Sequence, residues 1–152
     1  MRLEYFQMLD RIEQLDIAVP SLAAAGVVPE ASPVFEGHFP GHPLMPGVLL
    51  LETMAQAAGY LLLALDGFSR MPFLAGAKTA AFRAFVRPGA HLTVQATRIH
   101  DGSGYAVVDA SILENGQAMA DARLTLRRMP FPSPALERHV RSEGVRLGLL
   151  EA

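Results

Sequence analysis

Phe35-Glu36-Gly37-His38-Phe39-Pro40-Gly41-His42-Pro43-Leu44-Met45-Pro46-Gly47-Val48-Leu49-Leu50-Leu51-Glu52-Thr53-Met54-Ala55-Gln56-Ala57-Ala58-Gly59 sets the architecture of this chain. Its first half belongs to a longer stretch, Pro29 to Pro46, in which five prolines and two glycines exclude a regular helix or central strand and predict an ordered loop. Proline is tolerated in the first turn of a helix, so Pro46 can open one, and the apolar run that follows continues to a stop at Asp66-Gly67. A helix from Gly47 to about Leu65 is therefore expected. Its apolar side chains cover nearly every face, as in a helix enclosed by other structure, while Ala55, Ala57, Ala58 and Gly59 let neighbouring backbone come close.

Working outward, the run from about Val48 to Leu65 approaches the length of a membrane span, but it carries Glu52 and Gln56 and has no flanking basic cluster. A carboxylate there would be costly in lipid, so a core helix is expected and not a membrane-spanning one. Upstream, Leu3 to Leu9 reads as a short amphipathic opening and Arg11 to Val28 as strand. Downstream, four strands are expected at about Phe73 to Phe85, His91 to His100, Tyr105 to Leu113 and Gln117 to Arg128. Arg87-Pro88-Gly89, Asp101-Gly102-Ser103-Gly104 and Glu114-Asn115-Gly116 separate them as antiparallel turns. One helix followed by hairpin-connected strands is an α+β order, in which an antiparallel sheet can wrap the helix. Residues 130–152 form a tail with a weak helical pattern around Leu136 to Leu150 and no assigned role.

At 152 residues, 51% hydrophobic, the chain suits one domain spanning 1–152. A net charge of −2 gives no global basic field for nucleic acid. The absence of cysteine excludes disulfides, a thiol nucleophile and zinc-thiolate sites, and with no apolar secretory leader at Met1 to Gln7 a cytoplasmic protein is expected. There is no phosphate-binding glycine loop: Gly102-Ser103-Gly104 lies between strands and reads as a turn.

The quoted segment holds groups suited to proton transfer beside a carbonyl, which needs a base, an acid and donors for a developing oxyanion. His38, on a loop stiffened by Pro40 and Pro43, is the candidate base, since histidine is the residue type whose ordinary pKa lies nearest neutrality. Glu52 lies in an apolar helix, where desolvation favours the protonated form that a general acid requires. Gly47 opens the helix, where free N–H groups favour a developing oxyanion. Gln56, one turn after Glu52, shares its face and can orient it. His42 is a conceivable metal ligand with His38, but no third ligand follows and no metal is expected; His91, His100 and His139 are expected at the surface.

The His-Phe-Pro-Gly-His-Pro loop, the Met-Pro-Gly turn and the Leu-Glu-x-Met-Ala-Gln helix, in this order and spacing, resemble the signature of the FabZ-type β-hydroxyacyl-acyl-carrier-protein dehydratases over about 25 residues. The resemblance implies a hot-dog fold, with the sheet curled around the helix and two sheets joined edge to edge. It also implies active sites at the dimer interface and grouping as a homodimer or a trimer of dimers. No cofactor is implied beyond the phosphopantetheine of an acyl carrier protein, which holds the substrate. It supports His38 as base, Glu52 as acid and Gly47 as oxyanion donor, and the glutamate, where a sister group that also isomerises the double bond has aspartate, favours dehydration alone. Lys78, Arg83 and Arg87 would form a basic rim for the acidic carrier. Met1 to Phe6 and Met129 to Pro132 further resemble a branch linked to very-long-chain hydroxyacyl groups of lipid A. The alternatives are a hot-dog acyl thioesterase and a non-catalytic module that binds acyl carrier protein.

Overall fold

The computed structural model describes residues 1–152 and opens with a single 3-10 turn, Leu3–Tyr5. The segment expected as one strand is two, β1 (Arg11–Asp16) and β2 (Ser21–Val27), paired antiparallel. Asp16 causes the reversal: its Oδ1 accepts from the N–H groups of Ala18 and Val19 at 2.9 and 3.1 Å, turning the chain ahead of Pro20. A second correction falls in the proline-rich stretch, where Pro33–Gly37 forms a short helix, α1. Ser32 caps it through a 3.2 Å hydrogen bond from Val34 N–H, and Pro33 occupies the one helical position that proline favours.

Helix α2 runs Gly47–Leu65, as its apolar run predicts. Four strands follow: β3 (Met71–Phe82), β4 (His91–Asp101), β5 (Tyr105–Glu114) and β6 (Gln117–Met129). They form one antiparallel sheet in the order β1-β2-β4-β5-β6-β3. Arg87-Pro88-Gly89 is therefore not a hairpin turn, since β3 crosses to the far edge and pairs with β6. What directs the crossover is β2, whose following residue Val28 exchanges backbone hydrogen bonds with Gly89 and Ala90 at 2.8 and 2.9 Å. Glycines at positive φ make the two true hairpins tight, Gly104 before β5 and Gly116 before β6.

Burial alternates along β4, β5 and β6, so Leu92, Val94, Val108, Ile112, Leu124 and Leu126 point at the helix. Helix α2 meets them with Met54, Ala57, Ala58, Leu61 and Leu62, all essentially inaccessible, and each fully buried aliphatic side chain stabilises the fold by about 1.5–3 kcal/mol. The helix is long and apolar enough to cross a bilayer, yet 61% of its apolar window is buried inside the protein. Strand β3 differs, being exposed on both faces from Phe73 to Ala80 and offering an unpaired edge.

The tail forms α3 (Pro134–Leu147), capped by Ser133 and stopped by Gly148 in the left-handed region. Arg128, in β6, is the one buried cation; it binds Asp66 at the end of α2, Asp101, and the carbonyls of Gly102 and Tyr105 at 2.9 and 3.1 Å. Its hydrogen bond holds the Asp101 carboxyl below the ordinary carboxylate range. Arg128→Ala is expected to cost about 3 kcal/mol, because two carbonyls and a mostly buried carboxylate lose their donor. Urea unfolding measures this, and an unchanged midpoint would show the network to be inert.

Candidate active site

His38 follows α1 on a loop that its own backbone closes. Phe39 N–H donates to His42 O at 3.0 Å, His42 N–H to Phe39 O at 2.8 Å, and Leu44 N–H to His38 O at 3.0 Å. Met45 N–H bonds Val86 O at 2.8 Å and fixes the loop's end beside the crossover from β3. The His38 Nδ1 lies 2.9 Å from Leu44 O. A carbonyl only accepts, so in the neutral ring the proton sits on Nδ1 and Nε2 is the nitrogen left to accept one. The ring stacks on Phe39 at 4.1 Å.

Pro46 is the residue before the first turn of α2, and Gly47 follows as the first helical residue, where an N–H has no intrahelical acceptor. Its φ is not positive, and a Cβ there would meet Phe82 at an ordinary 3.6 Å. Neither the turn nor crowding within the chain demands glycine, and its small size leaves the N–H open to a ligand.

Glu52 is half-buried on α2 and accepts a 3.0 Å hydrogen bond from Gln56 Nε2. Gln56 also donates to Phe6 O at 2.6 Å and accepts from Met8 N–H at 3.2 Å, which fastens the N-terminal segment over the helix. The carboxylate borders a cavity of about 540 Å³ between α2, β3, the N-terminal segment and α3. His38 is not on its wall, so the chain places the two candidate groups in separate surroundings. Around His38 and Gly47, Phe39, Val48, Phe82 and Phe85 are exposed, an apolar skirt beside the open edge of β3.

Of the basic rim, Lys78 and Arg87 are exposed, whereas Arg83 is held by Asp121 at 2.6 Å and already has a partner. That hydrogen bond raises the Arg83 pKa. His42, His91 and His100 are exposed, and no three His, Cys, Asp or Glu side chains cluster to hold a metal ion. His139 is exposed, as expected of it, and also lines the Glu52 cavity, together with Leu136, Val140 and Glu143. The spacing of those four residues on one helical face was the available signal. Tyr60 also lines the cavity, and burial, with the Glu143 carboxylate, pushes its phenol to about 12.

One long apolar helix held in a single antiparallel sheet defines a hot-dog protein, in which His38 lies on a loop and Glu52 on the helix. Solved structures share the fold, among them a putative thioesterase from Ralstonia eutropha (TM-score 0.61, 19% identity, covering 76% of this chain and 82% of that one). Another is a hypothetical protein from Staphylococcus aureus (TM-score 0.66, 19% identity, 85% and 98% covered). At this identity they speak for the fold alone. The FabA-like domain family matches residues 2–123. Curated relatives include the 3-hydroxyacyl-[acyl-carrier-protein] dehydratases FabZ of Syntrophotalea carbinolica, 37% identical over 78% of this chain and 82% of the relative, and of Thermus thermophilus, 40% identical over 79% and 84%. The chain belongs to this FabZ-type dehydratase family.

Proposed function

We propose that His38 and Glu52 divide the removal of water between them in this (3R)-hydroxyacyl-acyl-carrier-protein dehydratase of fatty acid biosynthesis. The thioester carbonyl sits at the Gly47 N–H, which lowers the energy of the enolate-like oxygen. Nε2 of His38 takes the proton from C2, the C2–H electron pair becomes the new double bond, and the C3–O bond breaks as Glu52 gives its proton to the departing hydroxyl. Water leaves, the trans-2-enoyl thioester remains on the carrier, and a proton returns from the imidazolium to the carboxylate. Atoms balance without a resident cofactor or metal. Gln56 holds the Glu52 carboxyl in place.

The observation that carries this reading is the 2.9 Å contact of His38 Nδ1 with Leu44 O, which in the neutral ring holds the proton on Nδ1 and turns Nε2 to the substrate as acceptor. Mass spectrometry of a (3R)-hydroxyacyl carrier tests it: loss of water with the thioester intact is expected. Release of free thiol would instead make the protein a thioesterase, and no change would leave a binding module. A scan of chain lengths reads out whether the likeness of the termini to the very-long-chain branch extends to substrate.

Two copies supply one site in this proposal. The uncovered edge of β3 and the apolar skirt around His38 are surfaces that a second chain would bury, bringing its Glu52 to the first chain's His38. The pair is a homodimer, free or in a trimer of dimers, and acts in the cytoplasm with a soluble carrier. Lys78 and Arg87 face the acidic carrier; Arg83, paired to Asp121, contributes less. Arg87→Glu is expected to raise KM for the carrier-bound substrate by about 10-fold, and much less for a pantetheine thioester, an effect that fades with salt. Equal shifts for both substrates would remove the docking role.

A further inference from the structure

The cavity beside Glu52 is shaped by two helical faces. On α2, Glu52, Ala55, Gln56, Gly59, Tyr60 and Leu63 recur every three or four residues and form one stripe. From Glu52 to Leu63 the stripe runs roughly 16 Å along the axis. Ala55 and Gly59 keep it hollow, and Met71, Pro72, Phe73 and Leu74 of β3 supply a side wall. Opposite stands α3, through Leu136, His139, Val140 and Glu143. This helix lies outside residues 2–123, the part of the chain that the family pattern covers.

Helix α3 is anchored, not loosely apposed. Val140 packs with Leu63 and Phe68 in a small buried cluster that closes the end of the groove remote from Glu52. Gly144 lies so near Phe68 that a Cβ would come within 2.8 Å of its ring. Arg146 donates to Leu9 O at 2.9 Å and pairs with Glu143 at 2.8 Å, while Arg141 reaches Phe68 O at 3.3 Å. The hydrogen-bonded anchors sit in the second half of α3, from Arg141 onward. The first half carries Leu136, half-buried and packed against the same cluster where it borders the groove.

We propose that α3 is the acyl-length selector of this dehydratase: the chain extends from Glu52 along the α2 stripe, and Leu136 and Val140 limit what fits. The inference rests on Glu52 as the acid, since that fixes where the hydroxyl-bearing carbon lies and thus which way the remaining carbons run. A groove bordered by aliphatic side chains and closed by Leu63, Phe68 and Val140 selects by size, because each methylene that must be accommodated or excluded changes transition-state binding.

The test compares (3R)-hydroxybutyryl and (3R)-hydroxyhexadecanoyl thioesters on one acyl carrier protein. Leu136→Trp, at a half-buried position near the start of α3, is expected to lower kcat/KM for the long chain at least about 10-fold and leave the short one within about 2-fold. Leu136→Ala, which cannot crowd the fold, should shift the ratio of long to short the other way. Equal effects on both lengths, or no effect with the unfolding temperature unchanged, would overturn the role of α3. The parent enzyme's own turnover of the short substrate tests the dehydratase reading separately, because its hydroxyl lies at Glu52 and its carbons end short of α3.

Discussion

Glu52→Gln, and likewise His38→Ala, is expected to lower kcat for water loss by about 100- to 10,000-fold with little change in unfolding temperature. Glutamine retains an oxygen to accept the 3.0 Å hydrogen bond from Gln56, so the tie between α2 and the N-terminal segment persists while the transferable proton is gone. Alanine at position 38 removes one hydrogen bond, to Leu44 O, in a loop whose other three backbone bonds remain, a loss of about 1 kcal/mol. Stopped-time mass spectrometry gives the rates and differential scanning calorimetry the stability. Turnover by either variant within a few-fold of the parent would strip that residue of its role. A collapse in stability would recast it as structural.

The second large effect is recovery. Pure His38→Ala and pure Glu52→Ala dimers each lack a complete site, but a mixed dimer concentrates both losses in one site and leaves the other whole. Random pairing of equal amounts makes half the dimers mixed, each with one working site of two, so about a quarter of parental activity should return. The separation of His38 from the Glu52 cavity within a chain motivates this expectation. Co-expression with two affinity tags isolates the mixed species. If verified mixed dimers are as inactive as their parents, base and acid belong to one chain and the shared site is wrong.

The central helix was legible, and His38 and Glu52 could be singled out as candidates, because they lie in one contiguous stretch where local rules suffice. Proline and glycine punctuation marks the loop, the apolar run marks α2, and the resemblance adds roles to His38, Gly47 and Glu52. Sheet order was not legible. Arg87-Pro88-Gly89 says that the chain reverses, but which strand receives β4 depends on Val28, some sixty residues earlier. The β1–β2 turn was hidden by Ile17 and Val19, apolar residues at an exposed tip, although Asp16 and Pro20 were there to signal it. Helix α3 was faint because only Val140, Gly144 and Leu147 along it are buried, and its relation to Glu52 is a matter of tertiary packing that no local pattern encodes.

The bare edge of β3 makes the lone chain vulnerable. Its unpaired N–H and C=O groups will accept any extended segment of matching register, so a short strand-forming peptide could occupy the edge in place of a second copy. Such a blocker would silence a shared site without touching histidine, glutamate or acyl groove. Its potency would fall as enzyme concentration rises, because each added copy competes for the same edge, whereas a substrate mimic would meet no such rivalry.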